Sequence, residues 1–169
     1  PIHCRKHLSL DAPEDILIDV NALAEDKDYC RVGRWENSPD HRWLAYSIDT
    51  DGSEQYTIVI KDLETGVLLS ESIPNCYYSL EWANDSRTIF YDVLDENHRP
   101  VKIFKHRLGD DPSDDEMVYE ETDARFFVHV LKSASKRFIF VASSGNNMSE
   151  WHFMEAEGQG SGLTLIQAR

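Results

Sequence analysis

The sequence is poor in the features that staple a chain, anchor it or wind it into long helices. It has three cysteines, Cys4, Cys30 and Cys76, an odd number without Cys-x-x-Cys spacing. That argues against a disulfide framework and points to reduced thiols in a cytoplasmic setting. No apolar run approaches the length that spans a bilayer, and no basic stretch leads into an apolar one at the start. Neither a membrane anchor nor a secretory signal is therefore expected. Basic residues are the scarce charge, 17 against 31 acidic, for a formal net charge of −14. Such a surface does not bind nucleic acid. It favours cationic ligands through a long-range field, or simply keeps a β-rich surface soluble. Helical periodicity is missing as well, with Asp19–Glu25 reading as a single turn.

What is present is a repeat. Ser38-Pro39-Asp40-His41-Arg42-Trp43-Leu44-Ala45-Tyr46-Ser47 aligns without gaps with Ala83-Asn84-Asp85-Ser86-Arg87-Thr88-Ile89-Phe90-Tyr91-Asp92. Both align with Ser133-Ala134-Ser135-Lys136-Arg137-Phe138-Ile139-Phe140-Val141-Ala142. Each is a polar turn, a basic residue and an apolar strand, and the starts lie 45 and 50 residues apart. That interval is the length of one four-stranded propeller blade. The spaces between hold strands and turns at hairpin spacing. Leu44–Ile48, Gln55–Lys61 and Val67–Ser70 belong to a blade over residues 31–72. Tyr78–Trp82, Thr88–Leu94, Val101–Arg107 and Glu116–Glu120 make one over 77–120. Phe126–Leu131, Arg137–Ser143, Glu150–Glu155 and Leu163–Gln167 make one over 125–168. Gly158–Gly162 reads as a hairpin loop within the last. Residues 1–24 read as a half blade with strands at Pro1–His7 and Asp15–Val20. The expected fold is all-β: a partial β-propeller of about three four-stranded antiparallel blades plus a half blade.

Catalytic chemistry is not visible in these residues. His3-Cys4-Arg5-Lys6-His7 gathers a thiol and two imidazoles, but on a strand His3 and Cys4 face opposite ways and further ligands at zinc-like spacing are lacking. No metal and no cofactor is expected. Ser161 has glycines beside it rather than two positions away, so no nucleophile elbow is formed. The acids Asp110, Asp111, Asp114, Asp115 and Glu116 surround Pro112 and Ser113 and read as a solvated turn. The isolated chain is expected to be inactive. Two aromatic pairs stand apart: Tyr77-Tyr78 and Phe126-Phe127 occupy the same place in successive units, where the chain passes from an outer to an inner strand at one rim of the channel. They either pack between blades or project at the rim toward a ligand or a second domain.

The sequence resembles a trypsin-like branch of the prolyl oligopeptidase family of serine peptidases. Pro1–Lys6, Ile16–Asn21, Lys61–Gly66, Glu81–Ser86, His106–Gly109, Val118–Asp123 and Ser135–Arg137 carry the resemblance, in order and spacing, over essentially the whole chain. It implies a seven-bladed propeller, of which this is the first half, capping a catalytic α/β-hydrolase domain in the same parent chain. It implies cleavage of short peptides after Arg or Lys, with the propeller limiting access by size. No position here matches the family's catalytic serine, aspartate or histidine. Tyr77 and Phe127 fall where the family places apolar residues near the substrate. A stand-alone propeller-like interaction module is the competing reading. In either case the chain taken alone exposes two open blade flanks, and self-association through them is expected.

Overall fold

The computed structural model describes residues 1–157 and 162–169, and the hairpin loop read at Gly158–Gly162, with Ser161, lies outside the described residues except for Gly162. The described chain is all-β and every strand pairing is antiparallel. Strands β1 (Ile2–Lys6) and β2 (Glu14–Asp19) form a two-stranded sheet. A one-turn helix α1 (Val20–Leu23) follows, capped by the Asp19 carboxylate, which accepts from the amides of Asn21 and Ala22. Next come β3 (Arg31–Asn37), β4 (Trp43–Asp49), β5 (Tyr56–Asp62), β6 (Leu68–Trp82), β7 (Thr88–Leu94), β8 (Pro100–Arg107) and β9 (Glu116–Glu120), in sequential order in one seven-stranded sheet. Strands β10 (Phe127–Lys132), β11 (Phe138–Ser144), β12 (Ser149–Glu155) and β13 (Thr164–Gln167) form a four-stranded sheet.

The seven-stranded sheet is two blades sharing a strand. Where the sequence pattern separates Val67–Ser70 from Tyr78–Trp82, β6 runs through all 15 residues. Its first half pairs with β5 and its second half with β7, and Cys76 pairs with Tyr56 on one side and Val93 on the other. Pro74 cannot donate to a ladder, and Asn75 takes a positive φ of 61°, so the strand turns there without a loop.

The repeat has a local cause. His41, Ser86 and Lys136, equivalent in the three turns, all adopt left-handed backbone, with φ of 61°, 56° and 62°. Ser38 Oγ accepts the Trp43 amide at 2.9 Å, and Ser133 Oγ accepts the Phe138 amide at 3.0 Å. In the middle turn Asp85 takes over, accepting from the amides of Arg87 and Thr88, both at 2.8 Å. The strands that follow are buried on both faces in β4 and β7, as second strands pressed between neighbours must be. Three apolar clusters fill the gaps between units. Leu17, Ile18, Leu44 and Tyr46 join β2 to the first blade. Ile58, Ile60, Leu80 and Trp82 join the first blade to the second. Phe90, Ile103, Val128 and Val141 join the second to the third.

Candidate functional site

The crossover from outer to inner strand puts the middle of β6 and the start of β10 on a common rim with the loops after β4 and β7. Gln55 and His98 meet across that rim at 3.0 Å, Asn75 Nδ2 donates to the Leu94 carbonyl at 3.1 Å, and Arg99 donates to the Ala124 carbonyl at 2.7 Å. Between these ties lies a cleft of about 460 Å³ whose walls include Tyr77, Tyr78, Phe127, His129, Asp92 and Arg34. Three of the four aromatic residues singled out from the sequence therefore meet in one place. Tyr78 and Phe127 are 43% and 47% exposed, and Tyr77 is half-buried. Phe126 is elsewhere: only 2% exposed, it packs beneath the Arg169 guanidinium, 4.0 Å from its ring centre, and does not line the cleft.

The aromatic wall is a cluster of three tyrosines. The Tyr77 and Tyr78 rings lie 4.2 Å apart, and Tyr56 meets each of them edge-on, at 6.3 and 5.9 Å. Gly33 on β3 makes room for it. A methyl group there would fall 2.8 Å from Ser47 Oγ, Tyr56 Cε1 and Tyr78 Cβ, so no other residue admits the cluster unchanged. Burial, with a hydrogen bond to Tyr78, pushes the Tyr77 phenol up to about 12, so it is neutral at physiological pH. Burial also holds His129 below the usual imidazole value, which favours its uncharged form. Arg34 is bound by two carboxylates, Glu36 at 2.6 Å and Glu81 at 3.2 Å.

The residues that sequence reasoning missed are Asp92 and Gly33. Asp92 lies in the apolar strand β7, 1% exposed, and burial raises its carboxyl to about 7 against the pull of hydrogen bonds from Ser79 and Tyr77. A lone carboxylate inside an otherwise buried strand is the signal that could have marked it. Chemically the cleft offers aromatic and apolar side chains with a few polar groups between them. Its serine, Ser79, donates a hydrogen bond to Asp92 at 2.7 Å and accepts the Val130 amide at 3.2 Å, so its hydroxyl ties two strands together, and no histidine among the described residues is hydrogen-bonded to it. Among the described residues no group of three or more His, Cys, Asp or Glu is placed to hold a metal ion. The His3–His7 segment forms strand β1 and its edge, with Cys4 exposed.

Residues 1–169 match, over their whole length, the prolyl oligopeptidase N-terminal β-propeller domain. The chain belongs to the prolyl oligopeptidase family. Similar family members include Protease 2 of Moraxella lacunata, 43% identical over 176 aligned residues that take in 100% of this chain and 26% of that protein. Dipeptidyl aminopeptidase BI of Pseudoxanthomonas mexicana is 41% identical over 88% of this chain and 21% of its own. Among solved structures, oligopeptidase B from Leishmania major superposes with a TM-score of 0.89 at 26% identity, over 98% of this chain and 24% of that one. The chain thus spans about a quarter of the length of these relatives and is the N-terminal propeller part of a prolyl oligopeptidase-family protein. No described helix is long and apolar enough to cross a membrane.

Proposed function

We propose that this propeller is the gating part of a cytoplasmic serine oligopeptidase that cleaves short peptides after Arg or Lys, and that the rim cleft of Tyr77, Tyr78 and Phe127 contacts the peptide. The observation that carries the reading is the union of a whole-chain match to a peptidase propeller with an exposed aromatic cleft that has no activated nucleophile. The nucleophile belongs to a hydrolase domain of the same parent chain. A propeller rim of closely packed blades admits a short, flexible peptide and rejects a folded protein. A net charge of −14 draws cationic peptides toward it.

The test is hydrolysis of Arg- and Lys-containing peptide amides by the full-length protein. Activity blocked by a serine-directed inhibitor is expected there, and none in residues 1–169 alone. Because Tyr78 and Phe127 are half exposed, Tyr78→Ala and Phe127→Ala should change peptide preference at a cost to stability under about 1 kcal/mol, well below the toll of emptying a buried aromatic site. A full-length protein without peptidase activity, or variants with unaltered preference, would refute the reading.

The same reading covers association of the isolated propeller segment. Ile2 and Ile16 are each 51% exposed, and Leu165 and Ile166 are 48% and 54% exposed, on the sheets at either end. Residues 1–169 alone should self-associate through these flanks. Light scattering at tens of micromolar, roughly where weak interfaces begin to fill, checks this, and a monomer there overturns it.

A further inference from the structure

The three repeats differ at one strand position, and the inner strands differ with it. Ser47, Asp92 and Ala142 are equivalent, each closing its repeat. In the third blade, where Ala142 offers no acceptor, the ladder between β10 and β11 is unbroken from Phe127–Ser144 to Lys132–Ile139. In the first blade the ladder skips between Val32–Ile48 and Trp35–Tyr46, so Gly33 and Arg34 face Ser47 alone, and Ser47 Oγ accepts the Arg34 amide at 2.9 Å. In the second blade the skip is wider. Between Cys76–Val93 and Leu80–Tyr91, three residues of β6, Tyr77, Tyr78 and Ser79, face Asp92 alone.

Backbone amides freed from a ladder inside a protein must find another acceptor or destabilise the fold. Asp92 is that acceptor. One carboxylate oxygen takes the Tyr77 amide at 3.0 Å; the other takes the Ser79 amide at 3.2 Å and the Ser79 hydroxyl at 2.7 Å. Tyr78 therefore sits between two clamped amides. Ser79 Oγ in turn accepts the Val130 amide of β10, the strand that supplies Phe127 and His129 to the opposite wall. The propeller repeat does not require a charge here, since serine and alanine fill the equivalent positions. No basic side chain among the described residues forms an ion pair with Asp92. A buried, unpaired carboxylate that the fold could do without is an expense with a local purpose.

We propose that Asp92 is the positioning residue of the rim cleft: its carboxylate holds the widened bulge that presents Tyr77 and Tyr78 and ties that wall to the one carrying Phe127. It acts through those side chains and does not itself touch the peptide. The inference rests on the reading of the cleft as a peptide contact, and its test separates the two. In the full-length protein, Asp92→Ser installs the residue of the first repeat. The amides of Tyr77 and Ser79 should then exchange with deuterium about tenfold faster or more, as for loss of their buried acceptor, while those of Leu80 and Trp82 keep their protection. KM for a peptide long enough to reach the rim should rise by about tenfold, with kcat within roughly twofold and a minimal one-residue substrate unaffected. Ser79→Ala, which removes the hydroxyl link to β10, should move KM in the same direction and keeps the test open if Asp92→Ser does not fold. Unchanged exchange at Tyr77 and Ser79 overturns the positioning role even if the full-length protein proves to have no peptidase activity. Faster exchange with KM unchanged in an active enzyme overturns the link to the peptide.

Discussion

Replacing His106 with alanine is expected to lower the unfolding free energy by about 3–5 kcal/mol, the range for leaving buried polar partners without the group they bond. His106 on β8 has no exposed surface. Its Nδ1 lies 2.8 Å from the Asp115 carboxylate, and its Nε2 faces Glu71 of β6 at 3.9 Å. The Tyr91 hydroxyl donates to the other Asp115 oxygen at 2.7 Å, and the Gly109 amide donates to Glu71 at 2.8 Å. Nε2 and Glu71 Oε1 have no other partner. Without the imidazole, Asp115 and Glu71 remain in the protein, with side chains only 4% and 11% exposed, around an empty site. Both the lost hydrogen bond and the new cavity act in the same direction. His106→Gln, which can still donate to Asp115, should recover part of the loss. Urea unfolding of the chain measures both, and a cost below about 1 kcal/mol for His106→Ala would show that the network contributes little.

The second large effect is a fall in stability as pH rises, traced to Asp92. Its carboxyl stands at about 7 in the folded chain because burial disfavours the charge. In the unfolded chain it returns to about 3.9. Between those values the folded state holds a proton that the unfolded state has released. The stabilisation is therefore complete below about pH 4 and is lost as pH climbs through 7, an effect of about 4 kcal/mol. Groups of opposite sign act lower on the scale. Asp95, hydrogen-bonded by Arg99, and Asp123, hydrogen-bonded by Arg125, are held at about 2, and their contribution is lost only as pH falls toward that value. Comparing urea midpoints at pH 5 and pH 8 isolates Asp92. The wild type should lose stability across that interval, and Asp92→Asn, which cannot ionise, should lose much less. Equal slopes in the two proteins would assign the effect to other groups.

The cost that this pH dependence reveals and the bulge at Tyr77–Ser79 are two sides of one arrangement. A carboxyl group that takes over two ladder amides must be brought to where water cannot help it. The first repeat meets a smaller need with Ser47 and no charge. Its bulge is narrower by one residue, and it carries Gly33, whose missing side chain leaves space for the tyrosines of the next blade.

The all-β fold and the repeat were readable in the sequence because their causes are local. Asp40 and Asp85 bond the backbone within a few residues, and the equivalent His41, Ser86 and Lys136 turn the chain by backbone conformation alone. The aromatic pairs could be located in the same way, since a doublet starting six or seven residues before a turn needs no knowledge of what it touches. Which member of each pair reaches the cleft could not. Alternation puts neighbours on opposite faces, but a bulge resets which face is which, and β6 is bulged where β10 is not. So Tyr77 and Tyr78 both line the cleft, whereas Phe127 lines it and Phe126 is buried under Arg169. Where the chain turns and where its aromatic rim begins follow from neighbours along the backbone, so both are legible residue by residue. That β6 serves two blades, that Asp92 takes the amides β7 leaves unpaired, and that Gly33 clears space for Tyr78 all depend on groups that folding brings from different strands into one low-dielectric place, which no local pattern records.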